Sequence, residues 1–225
     1  MGNPKFAVQT LDVLYNDENF DVKLVVSSKD KKRSRNKLTP TEVKKYATDH
    51  GLNVLTPDSV NTYEFVNELE SLEIDFIVVV AFGQLIGDLL LERFNDRIIN
   101  LHPSILPKYR GAAPMQFSLL NGEKKISPTT MLIEKGLDSG DILTQELVDI
   151  DIKDDYYSLE EKMSEYGSKA IRYTLLNFDE VYANRKKQDS SKATFTKKIT
   201  KDMGKINWND ESIKIYNKIR ALIYY

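Results

Sequence analysis

Short apolar runs rich in β-branched residues alternate with amphipathic segments along the first half of the chain. Residues 22–27, 76–81 and 97–101 are predicted strands, and 76–81 is apolar at every position. Such a continuous run is typical of a strand buried on both faces of a parallel sheet. The intervening segments 41–50 and 62–72 are predicted helices. Strand, helix and strand joined by right-handed crossovers predict an α/β fold with a doubly wound, Rossmann-like and mostly parallel sheet.

The second half of the chain continues the alternation. Residues 129–134 and 143–150 are predicted strands, and 158–178 is a predicted long amphipathic helix. In open α/β sheets, ligands bind beyond the carboxyl ends of the strands. We therefore expect Gly83, His102 and Gly136 to lie near the ligand.

Polar residues capable of catalysis follow the strand at 97–101. Asn100 and His102 are two positions apart, so on a strand they project to the same face. Pro103 then ends the strand and begins a loop. Asp138, in the turn Gly-Leu-Asp-Ser-Gly-Asp, supplies a carboxylate that the fold could bring to the same place.

An amide, an imidazole and a carboxylate together fit acyl transfer without a metal. When an amine attacks an acyl carbon, charge grows on the carbonyl oxygen and the attacking nitrogen becomes acidic. Asn100 and His102 can donate hydrogen bonds to that oxygen. Asp138 can hold the imidazole in one tautomer, raise its basicity or order a water that relays the proton.

The amino-acid composition argues against several other classes of function. The chain has 225 residues, 41% hydrophobic and 29% charged, with a net charge of −2, no cysteine and two histidines. The absence of cysteine excludes disulfides and thiolate chemistry, and two histidines argue against a histidine-rich zinc site. The sequence shows no apolar run of membrane-spanning length and no signal peptide. We therefore expect a cytoplasmic protein without a metal.

The block from 100 to 143 closely resembles the folate-dependent formyltransferases. It carries Asn-x-His, Ser-x-Leu-Pro, Arg-Gly and Gly-x-Asp-x-Gly-Asp in that order. The version Arg-Gly-Ala-Ala-Pro at 110–114 is most similar to the family members that act on methionyl-tRNA. The similarity extends along nearly the whole chain, from the Gly-Asn-Pro-Lys-Phe at 2–6 to the Ile-Arg-Ala-Leu at 219–222.

This resemblance implies a reaction and a set of site residues. The formyl group of 10-formyltetrahydrofolate would pass to the α-amine of methionine on initiator methionyl-tRNA, for translation initiation. Asn100, His102 and Asp138 would be the catalytic residues. Other residues would contact the folate: Ala81, Phe82, Gly83, Ser104, Ile105, Leu106, Pro107, Gly136 and Asp141.

The resemblance also implies a division into domains. Residues 1–184 would form the catalytic domain, and 185–225 a basic linker with the beginning of a C-terminal β-barrel domain. Family members carry a strand before the position of Gly2, which is missing from this sequence, and a complete barrel after the linker. We expect a monomer.

Two basic stretches are candidates for tRNA contact. The first, at 29–37, leads into the segment 37–44, which resembles a family loop whose basic residues reach the acceptor stem. The family's usual arginine is replaced by Ser34, so Arg33 or Arg35 would take its place, and Arg33, Arg35 and Lys37 would contact tRNA. The second lies within 185–205. Basic contacts of this kind bind phosphate without reading sequence. Without the resemblance, a solvated charged loop is the simpler interpretation.

Three alternatives stay open at this stage. A formyltransferase acting on a nucleotide-linked amino sugar would have the same catalytic residues but no use for the basic loop. An inactive folate-binding fragment would bind folate without turnover. A dinucleotide-dependent dehydrogenase is disfavoured because no Gly-x-Gly-x-x-Gly follows a first strand.

Overall fold

The computed structural model describes residues 1–32 and 38–223. The predicted tRNA contacts Arg33, Arg35 and Lys37 lie outside the described residues. The described helices are α1 (Lys5–Tyr15), α2 (Glu42–Asp49), α3 (Tyr63–Ser71), α4 (Asp88–Arg93), α5 (Pro114–Leu120), α6 (Tyr156–Leu176), α7 (Phe178–Ala183) and α8 (Ser212–Leu222).

The strands are short and lie mostly between those helices. They are β1 (Val25–Val26), β2 (Lys31–Lys32), β3 (Leu38–Thr39), β4 (Val54–Leu55), β5 (Ile77–Val79), β6 (Ile98–Pro103), β7 (Arg110–Gly111), β8 (Lys125–Ile126), β9 (Pro128–Leu132), β10 (Ile142–Thr144), β11 (Val148–Asp149) and β12 (Phe195–Thr196).

The sheet has a parallel half and an antiparallel half. In the four-stranded sheet β10-β9-β6-β5, β5 and β6 pair in parallel, whereas β9 pairs antiparallel with both β6 and β10. β1 and β4 form a separate parallel pair. The Rossmann-like α/β fold predicted from the sequence is confirmed. The antiparallel strands come after β6, which therefore lies between the two halves.

Both faces of β6 are covered, as the doubly wound prediction requires. Ile98 belongs to one apolar cluster, which includes side chains of α3 and α4. Ile99 and Leu101 point the other way and belong to a second cluster, with side chains of α1, α5 and α6. Alternate residues of a strand project to opposite faces. The two clusters thus hold β6 in one register.

Threonine caps begin the two helices that the sequence predicted in the first half. The Thr41 hydroxyl accepts a hydrogen bond from the Lys44 amide at the start of α2. The Thr62 hydroxyl accepts one from the Phe65 amide at the start of α3. Each cap satisfies a backbone donor that has no partner within the helix. Both helices begin within one residue of the predicted range.

A narrow slot separates β1 from β5, and Met1 and Gly2 occupy one end of it. The Gly2 amide donates to the Val26 carbonyl at 3.0 Å, and the Val80 amide donates to the Met1 carbonyl at 2.9 Å. Beside them lies a cavity of about 270 Å³ whose walls come mainly from α1 and from the segments 19–26 and 73–78, which include β1 and β5. The hydroxyl of Thr10 lines it and is the only fully buried side-chain polar atom among the described residues without a hydrogen-bond partner.

The last described helix, α8, is anchored to the rest of the molecule by a buried arginine. Arg220 is 6% exposed, and its Nη1 donates to the carbonyls of Asp151 and Asp154 at 3.1 and 3.0 Å. Its Nε donates to the side chain of Asn217, one turn earlier. No helix in 1–32 or 38–223 is long and apolar enough to cross a membrane.

Candidate active site

β6 carries Asn100 and His102 to the carboxyl end of the parallel half of the sheet. The parallel partner of Asn100 is Val79 of β5, and the antiparallel partner of His102 is Thr129 of β9. Asn100 is half-buried, whereas His102 is 5% exposed. As predicted, the amide and the imidazole lie on one face of a single strand.

The hydrogen bonds of His102 determine which ring nitrogen is available for chemistry. Its Nε2 lies 2.9 Å from the backbone carbonyl of Tyr109. A carbonyl only accepts hydrogen bonds, so Nε2 carries a proton. Nδ1 faces the Asp138 carboxylate, with 3.7 Å to Oδ2. In the neutral ring Nδ1 is therefore the unprotonated nitrogen, the one that can take up a proton.

Asp138 is brought to His102 by the loop between β9 and β10. Its Oδ2 accepts a hydrogen bond of 2.7 Å from the Gly111 amide in β7. The backbone of Asp138 is left-handed, with φ 45°. Few residues besides glycine, asparagine and aspartate adopt this conformation readily. The structure thus places Asp138 beside His102, as the sequence predicted.

The loop after His102 is fixed by hydrogen bonds to its own backbone. The Ser104 hydroxyl donates to the Lys108 carbonyl at 2.7 Å, and the Ser104 carbonyl accepts from the Thr129 hydroxyl at 2.6 Å. Gln145 donates to the Leu106 carbonyl at 3.1 Å. Ser104 and Leu106 are buried, whereas Ile105 and Pro107 are half-buried. Of the predicted folate contacts in this loop, Ile105 and Pro107 therefore have side-chain surface to offer a ligand.

The predicted folate contacts after β5 differ in what they expose. Ala81 and Gly83 are exposed and have positive φ angles of 47° and 83°. The Phe82 side chain is buried in the cluster with Ile98, and its carbonyl accepts a hydrogen bond from Asn3. This segment can therefore offer backbone groups at Ala81 and Gly83, while Phe82 contributes to packing.

The two remaining predicted contacts lie at the ends of the loop that carries Asp138. Gly136 is exposed, and its φ of 128° suits glycine. Asp141 forms an ion pair with Arg185, with 3.2 Å between Oδ2 and Nε. Its role in folate binding stays a prediction, because in the structure its carboxylate already has a cationic partner.

Sequence reasoning missed a buried glutamine that joins the two site loops. Arg110, 4% exposed, donates from Nε and Nη2 to Oε1 of Gln188 at 3.0 and 2.8 Å. Nε2 of Gln188 donates to the carbonyls of Asp138 and Gly140 at 2.9 and 2.7 Å. Gln188 lies in an irregular basic stretch with no apolar periodicity, so no pattern singled it out.

The geometry suits transfer of an acyl group to a nitrogen nucleophile. The imidazole has one nitrogen committed to the Tyr109 carbonyl and the other directed to a carboxylate. Asn100 lies on the same face and supplies an amide donor. Ion-pairing to a carboxylate stabilises an imidazole that has taken up a proton. The cavity near Thr10 has none of these residues in its lining and is a separate feature.

Comparison with known families agrees with this class of site. The family described as Formyl transferase matches residues 1–175, and the family described as Formyl transferase, C-terminal domain, matches residues 198–225. The chain belongs to the formyl transferase family.

Individual relatives show which members of the family are similar to this chain. A methionyl-tRNA formyltransferase of Finegoldia magna is 45% identical over 98% of this chain and 71% of the relative. One from Halothermothrix orenii is 40% identical over 99% of this chain and 71% of the relative. Among solved structures, the N-formyltransferase from Helicobacter canadensis, in complex with folinic acid and dTDP-3-aminofucose, has a TM-score of 0.72. It is 25% identical, with 99% of this chain and 78% of that chain covered.

Proposed function

We propose that this protein transfers the formyl group of 10-formyltetrahydrofolate to the α-amine of methionine on initiator methionyl-tRNA. The observation that carries the proposal is the 45% identity to a methionyl-tRNA formyltransferase across nearly the whole chain. The trio of Asn100, His102 and Asp138 supports it. The cytoplasmic location and monomeric state expected from the sequence stay predictions.

The reaction exchanges one carbon–nitrogen bond for another. A bond forms between the methionine nitrogen and the formyl carbon, and the bond from that carbon to N10 of the folate breaks. The amine loses one proton and N10 gains one. The products are formylmethionyl-tRNA and tetrahydrofolate, and no oxidant or reductant is needed.

The residues of the chain have separate tasks in this scheme. Asn100 donates to the oxygen on which charge develops. His102 is proposed to take up the amine proton at Nδ1. Its Nε2 already donates to the Tyr109 carbonyl, so Asn100 rather than His102 donates to the oxygen, unlike the shared role expected from the sequence. The Asp138 carboxylate, 3.7 Å away, stabilises the charged imidazole. Losing one donor to such an oxygen costs on the order of 100- to 1,000-fold in turnover.

The folate is proposed to lie against the loop after His102. Half-buried Ile105 and Pro107 offer apolar surface to a flat ring, and exposed Ala81 and Gly83 offer backbone hydrogen-bonding groups. Gly136 and Asp141 complete the proposed contacts from the other loop. Arg33, Arg35 and Lys37 are proposed to contact tRNA phosphates, so affinity for tRNA should fall as salt rises.

A comparison of acceptors tests this proposal. The chain is supplied with 10-formyltetrahydrofolate and either methionyl initiator tRNA or a nucleotide-linked amino sugar, and release of tetrahydrofolate is followed. Turnover with the tRNA alone is expected. Turnover with the amino sugar alone would reject the acceptor, and folate binding without turnover would identify a non-catalytic folate-binding chain.

A further inference from the structure

Gln188 connects a buried cation to the loop that carries Asp138. Its Oε1 accepts two hydrogen bonds from Arg110, and its Nε2 donates two to the carbonyls of Asp138 and Gly140. The side chain is 6% exposed. All of the hydrogen-bonding capacity of its Nε2 is directed to this one loop.

The two hydrogen bonds from Arg110 polarise the Gln188 amide and make its N–H groups strong donors. Both bonds from Arg110 come from a charged guanidinium and end on the same amide oxygen. Hydrogen bonds in a chain polarise one another when the surroundings have a low dielectric. Among the described residues Arg110 forms no ion pair with a carboxylate, and its side chain donates instead to the amide of Gln188.

The loop needs external support because of its backbone conformation. Asp138 has φ 45°, a left-handed conformation that aspartate tolerates better than most residues but that still costs it free energy. The carbonyl of Asp138 is held by Gln188, and its carboxylate is held by the Gly111 amide. These contacts hold both the backbone and the side chain of Asp138, the residue that faces His102.

The stretch around Gln188 is itself attached to both site loops. Lys186 and Ile142 exchange backbone hydrogen bonds of 2.9 Å in each direction. The Arg110 amide donates to the Thr194 carbonyl at 2.8 Å. Gln188 therefore lies on a segment tied before and after it to the strands beside the site, which fixes the position of its amide.

We propose that Gln188 is a positioning residue that holds Asp138 against His102 in the active conformation. This inference rests on the proposed function for its kinetic readout, and it has a second readout that does not. Gln188 touches no reacting atom in this scheme and acts only through Asp138. A misplacement of about 1 Å at a catalytic group can cost on the order of 100-fold in turnover.

The substitution Gln188→Glu removes the donor role of the amide while keeping its acceptor role. Glutamate keeps acceptor oxygens for Arg110 but has no N–H for the carbonyls of Asp138 and Gly140. The charged contact with Arg110 should keep the protein folded, at a lower melting temperature because two carbonyls lose their donor, while the loop loses its support. Asn184→Asp is the matched control, because Asn184 is exposed and donates only to Glu180 at the end of α7.

The experiment measures formyl transfer to methionyl-tRNA together with the NMR signals of the histidine rings. The chain has two histidines, so His50 serves as an internal reference for His102. Gln188→Glu should lower kcat by about 100-fold with KM within about twofold, and should move the His102 signals while leaving those of His50 in place. Asn184→Asp should do neither.

Each other outcome has a defined meaning. Parent-like kcat and unchanged His102 signals in Gln188→Glu would overturn the inference. Loss of turnover without movement of the His102 signals would also overturn it, because Gln188 would then act elsewhere. If the parent chain fails to turn over, the proposed function is rejected, and the His102 signals still decide whether Gln188 positions Asp138.

Discussion

The candidate site and the slot between β1 and β5 differ in how completely their polar groups are paired. Around His102, the imidazole, the Asp138 carboxylate and the Gln188 amide all have partners at defined distances. Across the slot between β1 and β5, the Thr10 hydroxyl has no partner among the described residues and faces a cavity of about 270 Å³.

This difference indicates which region of the molecule is held by hydrogen bonds and which contains empty space. The candidate site holds residues in uncommon conformations, including Tyr109, Ala113 and Asp138 with positive φ, and surrounds them with hydrogen bonds. Strained backbone of this kind persists where neighbouring contacts determine it. The slot instead contains a cavity and the Thr10 hydroxyl, which has no hydrogen-bond partner among the described residues. Changes at the site should therefore alter turnover, whereas changes at the slot should alter stability.

Among substitutions that alter packing, the largest effect is expected from Gly140→Ala. A Cβ at position 140 would lie 2.0 Å from the Leu132 carbonyl oxygen, a backbone atom that cannot move aside without shifting β9. Because the loop carrying Asp138 must then move, turnover should fall by about 100-fold and the melting temperature should also fall. Gly204→Ala, which meets nothing within 4 Å, is the control. Equal turnover in the two variants would contradict the described packing of the loop.

Gly2→Ala should be the most damaging change in the slot. A Cβ there would lie 2.9 Å from both the Ala7 Cβ and the Val80 carbonyl oxygen. Overpacking of this kind costs about 1 to 3 kcal/mol in the free energy of unfolding. Denaturant unfolding should show that loss, with turnover per folded molecule unchanged. Adding Ala7→Gly should restore part of the stability, and a double variant no better than Gly2→Ala would argue against the Ala7 contact.

Tyr109 gives the site a predicted dependence on alkaline pH. Burial raises the pKa of its phenol to about 12, and the hydroxyl donates to Glu123 at 2.7 Å. The folded state holds this proton more tightly than the unfolded state, whose pKa is near 10. The contribution to stability is therefore complete below pH 10 and is lost as pH rises through 12, by up to about 3 kcal/mol.

The measurement is denaturant unfolding of the parent and Tyr109→Phe between pH 9.5 and 12. The difference in unfolding free energy between them should shrink as pH rises. Tyr63→Phe, at an exposed position, is the comparison and should show no such change. A constant difference between the parent and Tyr109→Phe across this range would exclude the predicted linkage.

Thr10→Val should produce a smaller, favourable effect. Valine has nearly the shape of threonine but lacks the hydroxyl, which is buried without a partner among residues 1–32 and 38–223. Removing it should raise the free energy of unfolding by about 1 kcal/mol. Thr174→Val is the matched opposite, because the Thr174 hydroxyl is bonded to that of Thr130 at 2.8 Å and its loss should destabilise. Destabilisation by both substitutions would show that the Thr10 hydroxyl has a partner after all.

Local pattern was sufficient to predict the strand with Asn100 and His102. The apolar run before them, the proline after them and the alternation along a strand are all readable over a few residues. The two threonine-capped helices were predicted for the same reason. Pairing direction depends on which distant strand lies alongside, so the antiparallel position of β9 beside β6 could not be read from the sequence.

The rest of the site depends on contacts between distant positions. Gln188 contacts Asp138 from 50 positions away and Arg110 from 78 positions away. A single glutamine in a polar stretch gives no periodic signal. The choice of ring nitrogen in His102 likewise depends on the Tyr109 carbonyl, a backbone group whose direction follows from a positive φ at Tyr109.

The most direct test of the account is formyl transfer to methionyl-tRNA by Asp138→Asn. The substitution keeps the size of the side chain but removes the charge that faces His102 Nδ1 at 3.7 Å. Turnover should fall on the order of 100- to 10,000-fold, the usual contribution of acid–base catalysis, with an unchanged melting temperature. Turnover close to that of the parent would show that Asp138 and His102 do not work together in the transfer.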